Sequence, residues 1–174
     1  MGSKATYEFD ILPTEEQRAK ILKNIAGYRM VYNFFLRERK DRFHTDGSYY
    51  GKFSCMHDLG KLKDENPWLK DLDSQALVCA VYDLDATFNY FFSKVTKGQK
   101  MFGPKFIRKN KYPKYYRTRS PNSSIYLRGD TIRLPKLGRV LHSYEYEINQ
   151  KISSVFIFAN GNGTFSVRVH CNEE

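Results

Sequence analysis

The stretch TYEFDILPTEEQ, residues 6–17, decides the fold of this chain. Apolar side chains occupy alternate positions in its first half: Tyr7, Phe9 and Ile11. This period of two predicts a half-buried β-strand, and Pro13 ends it. The residues from Thr14 to Gln17 match a capping box, which predicts that a helix starts here. An isolated strand needs a partner, so we expect it to pair with strands from the far end of the chain.

Helices are predicted for the residues that follow this strand. The first helix is expected to close or kink at Gly27, and a second to run over residues 28–43. A third is expected over residues 54–63. A fourth begins after Asp73, which can cap it, and its apolar residues follow the helical period. We expect this last helix to be the longest.

Short strands and turns are predicted after about Ser120. The strand segments are 125–127, 132–134, 140–141, 144–148, 152–158 and 165–169. The Asn160-Gly161 pair supplies the positive φ angles that a tight hairpin needs. The predicted fold class is therefore α+β: a small antiparallel, OB-like β-barrel with a helical bundle inserted after its first strand.

Composition excludes several classes of protein. With 41% hydrophobic and 16% aromatic residues, the 174-residue chain can form a sizeable core, so disorder throughout is excluded. The sequence contains no run of about 18 apolar residues, so no membrane-spanning helix is predicted. The N-terminus lacks the apolar stretch of a secretory signal. We expect a cytoplasmic protein with no membrane partner.

The sequence offers no catalytic or metal-binding constellation. Cys55, Cys79 and Cys171 are far apart, and the four histidines are equally scattered, whereas a zinc site needs converging ligands. We expect three reduced cysteines that pack in the core, no metal and no cofactor. No pair of carboxylates shows a catalytic spacing, and no nucleophile elbow is present, so an enzyme is not predicted.

The net charge of +10 comes from one quarter of the chain. Between Asp85 and Asp130 there is no acidic residue, and eleven lysines and arginines lie there. Without them the chain has 18 basic and 19 acidic residues. Aromatic residues are interleaved with these cations: Phe102, Phe106, Tyr112, Tyr115, Tyr116 and Tyr126. Cations neutralise phosphates and rings stack on bases, so nucleic acid is the predicted partner.

Eight short motifs resemble the TnpB (OrfB) family of transposon-encoded RNA-guided nucleases, which are related to the type V CRISPR effectors. The motifs are ILPTEEQ (11–17), YRMVYN (28–33), NPWL (66–69), SQAL (74–77), GPKF (103–106), YRT (116–118), IRLPKLG (132–138) and KISSV (151–155). They occur in family order over nearly the whole chain. One departure is Arg139, where the family usually has an aromatic residue.

The resemblance implies a wedge domain, a β-barrel, that is split by a helical recognition lobe. The implied segments are the first wedge strand (1–12), the recognition lobe (13–95), a basic connector (96–119) and the rest of the wedge (120–174). The RuvC-like nuclease half and its zinc finger would begin just after Glu174, so this chain is expected not to cut nucleic acid. It would be either an excised half or a naturally short relative.

In the family this half holds guide RNA and reads a short motif beside the DNA target. Aligned with the family, the motif-contacting positions are Tyr50, Ser74, Gln75, Val78, Pro121 and Asn122. The candidate phosphate- and RNA-contacting residues are Lys105, Arg108, Lys109, Lys111, Lys114, Tyr115, Tyr116, Arg117, Arg119, Lys136 and Arg139. These cations could instead be a solvated surface, and Ser74, Gln75 and Asn122 could simply serve a helix start and a turn.

The expected function is a nucleic-acid-binding module whose partners are guide RNA, duplex DNA and a RuvC-like nuclease half or full-length relative. Two alternatives remain open from the sequence. The chain could be a stand-alone DNA- or RNA-binding regulator that competes with a full-length nuclease. It could also be a protein-interaction inhibitor that docks on such a nuclease.

Overall fold

A computed structural model describes residues 5–172, and the ends of the predicted wedge segments 1–12 and 120–174 lie outside this part. The described chain contains three α-helices, one 3-10 turn and seven strands. In chain order they are β1 (Thr6–Leu12), α1 (Glu15–Asp46), α2 (Lys52–Glu65), the 3-10 turn (Pro67–Asp71), α3 (Ser74–Val95), β2 (Lys114–Arg119), β3 (Tyr126–Arg128), β4 (Thr131–Leu134), β5 (Gly138–His142), β6 (Ile152–Ala159) and β7 (Phe165–Cys171).

The seven strands form one antiparallel sheet in the order β2-β6-β7-β1-β5-β4-β3. The first strand pairs with β7 on one side and β5 on the other, so the predicted pairing with the end of the chain is confirmed. The α+β class and the helical insertion after β1 are confirmed too. The sheet is open, with β2 and β3 as its edges in the described residues, and closure into a barrel is not seen.

Alternation along the strands gives this sheet one apolar face. On β6, Val155 and Ile157 are fully buried, and Val167 and Val169 of β7 lie opposite them on the same face. Their neighbours Phe156 and Phe158 point the other way and remain partly exposed. The core therefore lies on the first face, and the second face carries the residues described below.

Two predictions about the helices are wrong: the break at Gly27, and the last helix being the longest. Residues 28–43 do not form a separate helix, because α1 runs without a break from Glu15 to Asp46 and is the longest helix, at 32 residues. Gly27 has a tertiary role instead: a Cβ at this position would lie 2.2 Å from Cδ1 of Leu72. The glycine lets the buried Leu72 side chain approach the helix backbone closely.

The predicted helix starts agree with the structure. The amide of Gln17 donates to Oγ1 of Thr14 at 3.2 Å, and the amide of Thr14 donates to Oε1 of Gln17 at 3.0 Å, which completes the capping box. Asp73 caps α3 by accepting a hydrogen bond from the Gln75 amide at 3.0 Å. Both helix starts are thus fixed by side chains that the sequence had indicated.

Two strand predictions are corrected. Residues 144–148 form no strand, although they alternate between aromatic and acidic residues. In contrast, Lys114–Arg119, predicted as the end of a basic connector, forms the edge strand β2 on β6. The hairpins β3–β4 and β6–β7 are confirmed.

The chain divides into two compact units. A sheet unit contains residues 5–26 and 110–172, and a helical unit contains residues 27–109. Cys55 and Cys79 are buried in the helical unit and Cys171 in the sheet unit, and all three are free thiols, as predicted. No helix in residues 5–172 is both long and apolar enough to cross a membrane.

Candidate nucleic-acid interface

The basic segment after α3 is held against α1 by one asparagine. The side-chain amide of Asn33 donates to the carbonyl of Ile107 at 3.0 Å, and its carbonyl accepts from the Ile107 amide at 2.8 Å. This pair of bonds satisfies a loop backbone that has no strand partner. Asn33 therefore has a structural role, and the basic segment around Ile107 is docked on α1.

Docking brings cations from two parts of the helical unit together. Arg37 and Lys40 lie on the same stripe of α1 as Asn33, at helical spacings of four and three residues. Their charged groups lie 5.8 and 5.2 Å from the ring centre of Phe106, which is 41% exposed. Lys105, Arg108 and Lys109 are exposed on the docked segment. We call Arg37, Lys40, Lys105, Arg108 and Lys109 the helical cation cluster.

This cluster is not neutralised by carboxylates. Within residues 5–172, none of its five members forms an ion pair, although surface lysines elsewhere do, such as Lys20 with Glu16 at 3.1 Å. Sequence reasoning identified three of the five and missed Arg37 and Lys40. Their helical spacing from Asn33 could have placed them on the same side of α1 as Asn33. The docked position of Phe106 is needed to show that this side of the helix faces the basic segment.

Three of the predicted DNA-contacting residues lie together at the start of α3. Ser74 is exposed, while Gln75 and Val78 are partly exposed on the first turns. The helix N-terminus is fixed here by its Asp73 cap. The start of α3 therefore presents the Ser74 hydroxyl, the Gln75 carboxamide and the Val78 methyl groups close together on a capped helix end.

Tyr50 occupies a different environment from the one expected of a base-contacting ring. It is 5% exposed, it donates a hydrogen bond to the carboxylate of Asp58, and the guanidinium of Arg42 lies 3.7 Å from its ring centre. Burial, reinforced by the Asp58 hydrogen bond, raises the pKa of Tyr50 well above its usual range. Its contact with DNA stays a prediction, and the buried ring stabilises the loop before α2.

In the sheet unit, the predicted contacts fall on two strands, β2 and β5, and on three connecting segments. Lys114, Tyr115, Arg117 and Arg119 are partly exposed on β2. Tyr116 lies on the opposite face, fully buried, because side chains alternate along a strand; it does not share its neighbours' surface. The remaining predicted residues are exposed: Lys111 before β2, Pro121 and Asn122 in the turn after it, Lys136 in the turn before β5, and Arg139 on β5.

Sequence reasoning missed the rings beside β2. The pairing of β2 with β6 places Tyr115 opposite Phe158, and Arg117 opposite Phe156. The ring centres of Tyr115, Phe156 and Phe158 lie 5.9 to 6.1 Å apart, and we call these three rings the outer aromatic face. The alternation in residues 152–158 was the available signal. That alternation does not show whether Val155 and Ile157 or Phe156 and Phe158 face solvent.

The described residues give no sign of a metal centre. Nowhere in residues 5–172 do three or more His, Cys, Asp or Glu side chains converge in a way that could hold a metal ion. The exposed groups described above are of the types that contact nucleic acids: cations suit phosphates, rings suit bases, and carboxamides suit base edges.

Two comparisons with known proteins fit this arrangement. Residues 1–48 match the family model of a helix-turn-helix domain, HTH_OrfB_IS605; in the described residues this region forms β1 and α1. The chain is also 24% identical over 158 residues to InsQ of Escherichia coli (strain K12), a protein named as an RNA-guided DNA endonuclease. That match covers 87% of this chain and 36% of the relative, so the chain spans about a third of that protein's length. The resemblance to the TnpB/OrfB family is therefore confirmed: residues 1–48 match an OrfB-type helix-turn-helix family model, and most of the chain is similar to part of a protein named as an RNA-guided DNA endonuclease.

Proposed function

We propose that this chain is a nucleic-acid-binding module that holds guide RNA and contacts the target-flanking motif of duplex DNA. It works in a TnpB-like system in the cytoplasm and has no nuclease activity of its own. A RuvC-like nuclease half, or a full-length relative, would supply the cutting. The similarity to an RNA-guided DNA endonuclease and the exposed cations both support this function.

The helical cation cluster is the observation that carries the proposal. Arg37 and Lys40 of α1 lie against Phe106, Lys105, Arg108 and Lys109 are exposed on the segment that carries this ring, and the two Asn33 hydrogen bonds hold that segment in place. Cations that are held in place lose less conformational entropy on binding than those on a free tail. Each phosphate they neutralise releases condensed counterions, which gives affinity without sequence readout.

Contact with the DNA motif is proposed for the start of α3. A helix fits the major groove, and its N-terminal residues can reach base edges. The Gln75 carboxamide carries the donor and acceptor that pair with adenine, and the Val78 methyl groups can pack on a thymine methyl. Asn122, in an exposed turn of the sheet unit, offers a second carboxamide.

A pair of triple variants tests the role of the cluster. K105Q/R108Q/K109Q removes three cluster charges. K20Q/K61Q/K70Q removes three surface charges that are paired with Glu16, Glu65 and Asp64. We expect the first variant to weaken binding of a structured transposon-end RNA about tenfold or more, and to reduce the slope of log K against log salt by about 2. The second variant should change both quantities little. Equal losses in the two variants would show that only net charge matters, and would contradict the proposed site.

A further inference from the structure

Resting on the proposed nucleic-acid binding, we propose that the outer aromatic face binds unpaired nucleotides, whose bases stack on Tyr115, Phe156 and Phe158. The ligand class is single-stranded nucleic acid, either an unpaired stretch of RNA or a displaced DNA strand. In a duplex the faces of the bases are covered by stacking on the neighbouring base pairs, whereas unpaired bases can be splayed onto protein rings.

The rings are not needed for the core of the sheet. The opposite face of the same strands is already filled by buried aliphatic side chains, including Val155, Ile157 and Val167. Phe156 and Phe158 lie two residues apart on β6, with ring planes only 15° from parallel, and both remain partly exposed. Two near-parallel rings about 6 Å apart on one strand, with the Tyr115 ring tilted by 46–49° beside them, can receive successive stacked bases.

Two arginines lie over these rings and supply positive charge. The guanidinium of Arg117 lies 6.0 Å from the centre of Phe156, and that of Arg168 lies 5.3 Å from the centre of Phe158. Arg168 is oriented by an ion pair with Glu8 on the neighbouring strand. Guanidinium groups held against ring faces can stack with a base and still donate to phosphates from their edges. The guanidinium charge of Arg117 over Phe156 favours a polyanion as the occupant of the face, whereas the charge of Arg168 is paired with Glu8.

A cleft at one end of the outer aromatic face provides polar groups for a base edge. Its volume is about 320 Å³, and its lining includes Phe158, Asn160, Ser166, Arg168 and Asp10. The Asn160 amide donates to Oγ of Ser166 at 3.3 Å, which positions its side chain in the turn after β6. A base stacked on Phe158 would therefore meet hydrogen-bonding groups at its edge as well as a ring at its face.

The test measures binding of a short unstructured RNA of about 12 nucleotides, and of single-stranded DNA of the same sequence, by fluorescence anisotropy. The variant F156L/F158L removes both rings but keeps apolar side chains. F158W keeps an aromatic ring at one position. Y146L removes an exposed tyrosine that lies outside the face, with 72% of its surface exposed, and is the matched control. Circular dichroism checks that each variant is folded.

We expect F156L/F158L to weaken binding of the unpaired strands by about fivefold to a hundredfold. F158W and Y146L should bind like the wild type, and binding of a fully paired RNA should change little in all variants. Tighter binding of RNA than of DNA would identify the guide as the source of the unpaired stretch, and the reverse order would identify a displaced strand. Unchanged binding by F156L/F158L would overturn the inference while leaving the proposed function intact, provided that structured RNA still binds. A wild-type chain that binds no nucleic acid would overturn both.

Discussion

Replacing Gly27 by alanine tests whether this glycine is present for close packing. A Cβ there would lie 2.2 Å from Cδ1 of Leu72, whereas carbon atoms in contact prefer about 3.5–4.0 Å. Leu69 and Leu77 already approach the same point to 3.5 Å, so Leu72 has little room to move. Overpacking of this kind costs about 1–3 kcal/mol, and alanine's better helix propensity offsets about 1 kcal/mol of that. We expect Gly27→Ala to lower the free energy of unfolding by about 1 kcal/mol.

Gly60→Ala is the matched control. Gly60 lies inside α2 with no atom within 4 Å of the position its Cβ would take. Only helix propensity then changes, so this variant should be more stable than the wild type by about 1 kcal/mol. The two substitutions are chemically identical, and their effects should have opposite signs.

Fluorescence during urea unfolding measures both effects within the helical unit. Trp68 is the only tryptophan of the chain and lies in the 3-10 turn next to Leu69, so its signal reports on this unit. In a Leu72→Val background, which removes the clashing atom, Gly27→Ala should become stabilising. If Gly27→Ala stabilises the wild-type chain as much as Gly60→Ala does, the close-packing explanation is refuted.

Three further predictions concern other contacts of the helical unit. Asn33→Ala removes both hydrogen bonds to Ile107 and should lower the free energy of unfolding by about 2 kcal/mol, with faster proteolysis of residues 96–109; unchanged cleavage would contradict the docking. Asp85→Ala removes the carboxylate that lies 2.7 Å from the buried Arg39 guanidinium, and should lower the free energy of unfolding in urea by about 3–5 kcal/mol. A decrease below about 1 kcal/mol would contradict a stabilising role for this ion pair. Because the pKa of Tyr50 is raised in the folded state, folding stability should fall as pH rises from about 10, and should fall less in Tyr50→Phe. Parallel pH profiles for the two proteins would refute that assignment.

Six of the seven strands in the described residues were predictable because their signals are local. Alternation in residues 6–12 and the Asn160-Gly161 turn each depend on a few neighbouring residues, and the structure shows the corresponding strand and hairpin. The strand β2 was missed because its outward residues are cations and a tyrosine, which equally suit a solvated connector. Its assignment needed its partner β6, which lies more than 30 residues further along the chain.

The errors in the helices and in the site have a shared physical cause. Glycine commonly ends helices, so Gly27 predicted a break, but its actual role depends on Leu72, 45 residues away. Likewise, a sequence reveals that Phe156 and Phe158 alternate with Val155 and Ile157, but not which pair faces solvent. Contacts between distant segments decide both questions, and no local pattern records them.

Binding of the whole chain to RNA at two salt concentrations tests the proposed function most directly. Fluorescence anisotropy with a structured transposon-end RNA and with duplex DNA, each at about 50 and 200 mM salt, separates specific binding from general attraction to phosphates. We expect tight RNA binding that persists at the higher salt, together with weaker binding of duplex DNA. Preference for duplex DNA would indicate a repressor-like protein instead. Loss of all binding at the higher salt would leave only a basic surface and would contradict a guide-RNA-holding module.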